Sequence, residues 1–346
     1  MTRSGKDLEA MGDLQVGPCT IKERPKLQAL LNDVFITERD ARGDLFELAP
    51  LLYAEENVEN LRVVRDGKTL VGHAGILPRS IRWRGQTFEA GLIGGVCARE
   101  DRRGEGIGTL AMQDAAERMC ELGLDFGVLW TGSHDFYERL GWRTAAGITT
   151  MGIQEAADEP VEVGYEIMRL SESPFGPACC HRLHEQAERN EVVRTEDETA
   201  ILMETAGRET WIALEGGRPA GYATFEGLMI REIEGNAAVA IALLQHAASE
   251  GARRCVFPLN DRRVDAIAKA LPVHVERRPL GMFLIVDRES LQAKIADEAG
   301  ASPDDLGIGA DAGDDALIAR IFGHPEREPS DDPLPLDIHI GYLDHV

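Results

Sequence analysis

The stretch "DRRGEGIGTLAM", residues 101–112, decides how this chain is read. Three glycines alternate with other residues, two arginines precede them, and a helical pattern follows. Met112, Ala116, Met119 and Leu122 fall on one helix face, Gln113, Glu117 and Glu121 on another, and Gly123 supplies a left-handed stop. The preceding run "GLIGGVCA" reads as a strand. A glycine-rich turn from strand to helix can cradle a pyrophosphate. Glycines admit close backbone approach, successive N–H groups converge, and the helix N-terminus adds positive potential. It can also be only the turn that starts a helix. Two nucleotide motifs are excluded. Thr109 stands where G-x-G-x-x-G needs its third glycine, and no Lys-Ser or Lys-Thr closes a P-loop. A nucleotide-binding oxidoreductase also lacks its parallel βαβ start here. What remains is Arg103-x-x-Gly106-x-Gly108.

Upstream of that stretch, "LQALLNDVF" carries Leu27, Leu30, Leu31 and Val34 at helical spacing, and "LFELAPLLYA" is a second helix candidate. The period then changes. Two apolar runs flank Asp66-Gly67, a hairpin signal, and "RSIRWRGQTFEAGLIGGV" repeats the device around Arg84-Gly85. Downstream, "FGVLW" is a short buried strand. "SHDFYERLGW" is a short helix, with Ser133 as N-cap and Gly141 just past its end.

The second half repeats this order. "CCHRLHEQAERN" opens it as a helix, "ETWIALEGGRPAGYATFE" is a hairpin around Gly216-Gly217, and "AAVAIALLQHAASEG" is a helix. "RCVFPL" is a strand, "RVDAIAKAL" a helix and "GMFLIVD" a final strand. An internal repeat at this scale implies two similar domains. We expect a lead at 1–16, a first domain at 17–152 and a second at 160–290. From 291 the composition turns acidic and Gly-rich, hence loop-like. "DALIARIF" is a short helix, and "DIHIGYLDHV" alternates as a terminal strand that docks on one of the domains.

The bulk numbers agree. A length of 346 residues suits two domains at roughly 150 residues each. The hydrophobic fraction of 43% supports a real core. No apolar run approaches the roughly 20 residues that span a bilayer, and the opening residues carry no secretory signal. We expect a cytoplasmic protein. A net charge of −23 repels nucleic acid and anionic membrane and favours cationic partners. It equally serves plain solubility. Six cysteines without a CxxC pair indicate reduced, mostly buried thiols. Cys180 and His184 lie four apart with His181 between them, and we read them as a helix face, not a metal site.

Arg103-x-x-Gly106-x-Gly108, followed by "FYERLGW", resembles the GNAT superfamily of N-acetyltransferases. Its cofactor signature is R/Q-x-x-G-x-G/A, and its later motif runs from a tyrosine to Leu-Gly-aromatic. The match spans about 17–147 in the right order of elements. The resemblance implies an α/β fold with a splayed mixed sheet. It implies acetyl-coenzyme A between the strand ending at Cys97-Ala98 and the parallel strand near Leu129-Trp130. Carried over, Arg102, Arg103, Gly104, Glu105, Gly106, Ile107, Gly108 and Thr109 would hold the pyrophosphate, mainly by main-chain N–H groups, with Ser133 nearby. Val96, Cys97 and Ala98 would bond the pantetheine arm and polarise the thioester carbonyl. Tyr137 would protonate the leaving thiolate; a phenol near pKa 10 suits a thiolate of about 8.5 or above. For the base, Glu89 and His134 are candidates, each also readable as an ordinary surface residue.

Two tandem GNAT-like units, only the first with the signature, resemble the enhanced-intracellular-survival class of acetyltransferases. In the second unit the corresponding turn is "EIEGNAAVAI", with a lone Gly235 and no arginine pair. The resemblance implies a second unit without cofactor and a terminal carboxylate, here Val346, inserted into the first unit as base. It also implies a homo-oligomer. The chain departs from that class in one respect: residues 291–346 are too few for its sterol-carrier-like third domain. The expected activity is acetyl transfer from acetyl-CoA to a primary amine by direct attack in a ternary complex, without a metal. The alternative is a non-catalytic acyl-CoA sensor or scaffold on the same fold.

Overall fold

The computed structural model describes residues 14–154, 164–187, 190–324 and 334–346. Its strands are β1 (Leu14–Pro18), β2 (Leu61–Asp66), β3 (Thr69–Trp83), β4 (Gln86–Ala98), β5 (Phe126–Leu129), β6 (Arg143–Ala145), β7 (Ile148–Ile153), β8 (Glu166–Arg169), β9 (Arg208–Glu215), β10 (Arg218–Glu226), β11 (Met229–Glu234), β12 (Arg254–Pro258), β13 (Val273–Arg278) and β14 (Gly281–Ile285). The helices are α1 (Arg24–Asn32), α2 (Leu45–Leu48), α3 (Ile107–Glu121), α4 (His134–Glu138), α5 (Pro177–Gln186), α6 (Glu196–Met203), α7 (Ala237–Ser249), α8 (Arg263–Ala270), α9 (Arg288–Ala299) and α10 (Asp314–Phe322).

These strands form two seven-stranded mixed sheets. The first runs β1-β2-β3-β4-β5-β14-β6, the second β13-β7-β12-β11-β10-β9-β8. The expected hairpins are present, with Gly67, Gly85, Gly216 and Gly217 all at positive φ, as such tight turns require. In each sheet five strands come in chain order, and the sixth comes from the other half. β14 sits between β5 and β6, antiparallel to both. β7 sits between β12 and β13, antiparallel to both. Sheet membership therefore does not follow the expected boundary near 152. Residues 148–153 complete the second sheet, and 281–285 complete the first. The two halves, each built on one seven-stranded mixed sheet, interlock.

Several elements differ from expectation. Leu14–Pro18, placed partly in the lead, forms a strand along β2. The rest of the lead, residues 1–13, lies outside the described residues. The helix expected over "LFELAPLLYA" stops at Leu48, because Pro50 keeps Ala49 out of the helical region. Beyond 291, where a loop was expected, α9 continues to Ala299; Asp287 caps it and Gly300 ends it in the left-handed region. The terminal segment makes one bridge, Glu191 to His339, and not the expected strand. Its alternation is real, since Ile338 and Ile340 are buried. However, its backbone passes between the two halves and turns at Gly341–Asp344, so no long edge pairs with it.

The core on one face of the first sheet is closed by α9, α10 and the terminal segment, with Phe126 and Phe283 packed against Phe322. The other face is covered by α3, whose buried stripe is Ile107, Ala111, Met112, Ala115 and Met119.

Candidate active site

The site starts from an irregularity in β4. His73 pairs with Cys97 and Gly75 with Gly94, so two residues of β4, Gly95 and Val96, oppose one of β3. This is a β-bulge, which bends a strand and re-aims its backbone. Gly95 takes it at φ +62°, and a side chain there would strike the Tyr53 hydroxyl. Behind it, His73 Nδ1 lies 2.7 Å from the Gly95 carbonyl. Burial lowers His73 to about 4, so the ring is neutral and can donate that bond. β4 and β5 are parallel partners only from Ala90–Phe126 to Ile93–Leu129. Past that point they part, and a cleft opens.

The cleft holds a cavity of about 730 Å³. One wall is β4 from Ile93 through Val96, Cys97 and Ala98; the facing wall runs from Leu129 and Trp130 to Ser133, Phe136 and Tyr137. Arg103 and Gly108 line the end next to the start of α3. Val346, the last residue, lies at the inner end beside Gly94. A Cβ on Gly94 would fall 2.9 Å from the Val346 carboxyl carbon, so the tail approaches as closely as glycine permits. Val96, Cys97, Ala98, Arg103, Gly108, Ser133, Tyr137 and Val346 thus meet in one space.

Other expected residues lie outside it. Arg102 pairs with Asp66 and Glu105. The Ile107 side chain anchors α3 in the core against Gly72. Gly104, Gly106 and Thr109 do not line the cavity, although Gly104 and Gly106 take the left-handed conformations that shape the loop (φ +89° and +80°). Of the two base candidates, Glu89 accepts bonds from Ser80 on the sheet. His134 Nδ1 sits 3.1 Å from Thr144 Oγ1. Neither reaches the cavity. Ser133 holds the N-cap position of α4 without a capping side-chain bond.

Sequence reasoning missed one wall. A single π-helical turn, Asp33–Thr37, follows α1, and from it and the next residues Val34, Phe35, Glu38 and Arg39 face the cavity. Such wide turns often occur at functional sites, but nothing in a run of apolar residues distinguishes one from an ordinary helix. Glu38 accepts an ion pair from Arg103 across the cleft, and the Arg39 guanidinium lies 4.8 Å over the Phe35 ring. The missed Gly94-Gly95 pair did carry a signal, since adjacent glycines inside a strand mark a bulge or a close approach.

The two halves differ at one decisive point. The Gly106 cap of α3 makes no side-chain bond, and its first turn holds no acidic residue. Gly106 has no side chain with which to cap the leading N–H groups, and a helix start of this kind favours negative charge. In the second half the corresponding helix α7 is capped by its own residue, as Asn236 accepts from the Val239 N–H at 3.0 Å. The second half also has a cleft, of about 930 Å³, lined by Glu234, Asp261 and Asp337 among others. It is larger and its lining also includes Arg262 and Arg263, the latter paired with Asp261, but the helix start beside it is already capped by Asn236. Cys180 contacts Cys179 rather than His184. His184 instead groups with Glu232 and Glu234, their ligand atoms within 4.8 Å of one another. Glu232 is committed to Arg194 and Tyr222.

Comparison with known proteins gives a family match to the first half and a likeness of fold. Residues 15–145 match the family model described as an acetyltransferase (GNAT) domain. Over those residues the chain is therefore similar to GNAT acetyltransferase domains. A GCN5-related N-acetyltransferase from Anabaena variabilis superposes with a TM-score of 0.62 at 18% identity, covering 81% of this chain and 75% of that one. A conserved protein of unknown function from Enterococcus faecalis, a probable N-acyltransferase, gives 0.63 at 16% identity with the same coverages. Eis1 from Mycobacterium abscessus gives 0.57 at 15% identity, also covering 81% and 75%. At these identities the likeness is one of fold. No curated protein matches the chain by sequence.

Proposed function

We propose that the protein transfers an acetyl group from acetyl-CoA to a primary amine, by direct attack within a ternary complex. The observation that carries this is the single cavity joining the uncapped α3 end, Tyr137 and the Val346 carboxylate. Acetyl-CoA would supply an activated acetyl thioester. The loop at 103–108 and the α3 N-terminus fit its pyrophosphate, and Arg103 would exchange Glu38 for it. Main-chain donors at the β4 bulge would polarise the thioester carbonyl. The Val346 carboxylate would accept a proton from the incoming amine, and Tyr137 would give one to the departing sulfur.

Six free cysteines, five of them buried, suit a reducing compartment and support a cytoplasmic setting. Among the described residues no helix is long and apolar enough to cross a membrane. The charge of −23 favours a cationic acceptor. The test is release of free thiol from acetyl-CoA with spermidine, kanamycin, a lysine peptide and a neutral aromatic amine at low salt. Turnover with the cationic amines supports the proposal. Faster turnover of the neutral amine overturns the acceptor class. Tight coenzyme A binding without turnover by any amine favours the sensor.

A further inference from the structure

We propose that Arg194, in the second half of the chain, is a positioning residue that aims the terminal carboxylate at the reaction centre. It would act through Asp344. The inference rests on the assignment of Val346 as base.

The last five residues are held from several sides. The Asp344 N–H donates to the Gly341 carbonyl at 2.9 Å, closing a tight turn. The His345 ring stacks on Trp130 at 3.8 Å between centroids, and Trp130 lines the cavity. Val346 ends against Gly94. The charged anchor of this arrangement is Asp344, which is buried. Arg194 Nε donates to Asp344 Oδ1 at 2.9 Å, and Nη2 donates to Asp344 Oδ2. The same guanidinium binds Glu232 by both oxygens, at 3.0 and 2.6 Å. Glu232 also accepts from the Tyr222 hydroxyl. From the first half, Arg79 Nη2 lies 3.8 Å from Asp344 Oδ1, while its Nη1 pairs with Glu198.

Planar fork geometry makes this clamp directional. A guanidinium bonded to two carboxylates by paired donors fixes the plane of each, which an ammonium cannot do. The Arg194 side chain is only 1% exposed, so the pairs form away from solvent screening. Chain ends normally fray, and a frayed end would sweep its carboxylate through a wide arc. Asp344 stands two residues before Val346, a reach of roughly 7 Å. Fixing Asp344 therefore confines the carboxylate to the Gly94 end of the cleft. The second half caps the start of α7 with its own Asn236; through Arg194, Glu232 and Tyr222 it supplies the wall to which the tail is fastened.

Arg194→Lys, which keeps the charge but loses the fork, tests this, with Asp344→Asn as a milder second variant. Carboxypeptidase release of Val346 from the folded full chain should accelerate by roughly tenfold or more, with coenzyme A affinity by calorimetry unchanged. With the best amine of the panel, kcat should fall by about 10- to 100-fold while KM for acetyl-CoA holds. Combining Arg194→Lys with deletion of Val346 should cost no more than the deletion alone, because both remove one function. If deletion slows the enzyme but both variants keep a protected tail and full kcat, the positioning role is overturned and the base survives. If deletion leaves kcat intact, the base assignment itself fails, and with it the catalytic meaning of the clamp.

Discussion

Burial pushes the Tyr137 phenol up to about 12, with the Cys97 thiol adding to the effect. A solution phenol near 10 would match a thiolate without adjustment, and this one is a weaker acid. The same wall raises the Cys97 thiol, also to about 12, through loss of solvent. In the proposed reaction a sulfur leaving beside Tyr137 would meet the same loss of solvent, which raises a thiol as it raises the phenol. Tyr137→Phe should lower kcat by roughly 10²-fold or more, with coenzyme A affinity retained by calorimetry; unchanged kcat would remove Tyr137 from the chemistry. Gly94→Ala tests the tail from the opposite side. The new methyl would press on Leu52 and on the Val346 carboxyl group. The expected outcome is a kcat loss of about 10-fold or more from displacement of the carboxylate.

At the scale of elements, two helix starts separate the halves. Gly106 has φ +80° with open space around its Cβ position, so Gly106→Ala would suffer backbone strain but no clash. It should cost about 1–2 kcal/mol of stability and raise KM for acetyl-CoA, since the strained turn redirects the α3 N–H groups. Asn236→Ala is the matching control. Losing that cap should cost about 1 kcal/mol and leave coenzyme A affinity alone, as α7 satisfies its own donors. Thermal unfolding with calorimetry reads both. Equal effects on coenzyme A affinity would mean that the two helix ends are not functionally distinct. The hairpins, α3 and the cofactor-like loop were all legible, because their turn residues and periodicities are local. The π-turn, the bulge and the shortened α2 were not legible, since each depends on how neighbouring backbone closes around it.

Across the whole molecule, strand exchange makes the halves mutually dependent. A fragment ending at residue 154 would lack β14 between β5 and β6 and would carry β7 without its sheet. It should show no cooperative unfolding transition, whereas the full chain should; a folded fragment would mean that β6 can pair directly with β5. The buried network of the second half has its own pH signature. Burial alone would lower His184, but Glu234, Glu232 and Glu191 outweigh it and raise the imidazole to about 9. Its extra stabilisation is full below the unfolded value near 6.5 and is lost as pH rises through about 9. Stability should therefore fall across that window by on the order of 3 kcal/mol. His184→Gln should flatten that slope in denaturant titrations at several pH values.

Local chemistry in the sequence determined the tandem arrangement, the glycine-rich turn before α3 and the half that bears it. Glycine positions, capping residues and apolar periods act within a few residues and can be read without a fold. Tertiary structure decided which strand completes which sheet, that Glu38 faces Arg103, and that a tail read as a strand brings Val346 into the cleft. Those outcomes depend on pairings between residues far apart in the chain, such as Arg194 with Asp344, 150 positions apart. Their free energy comes from burial and charge neutralisation that exist only once both halves have closed.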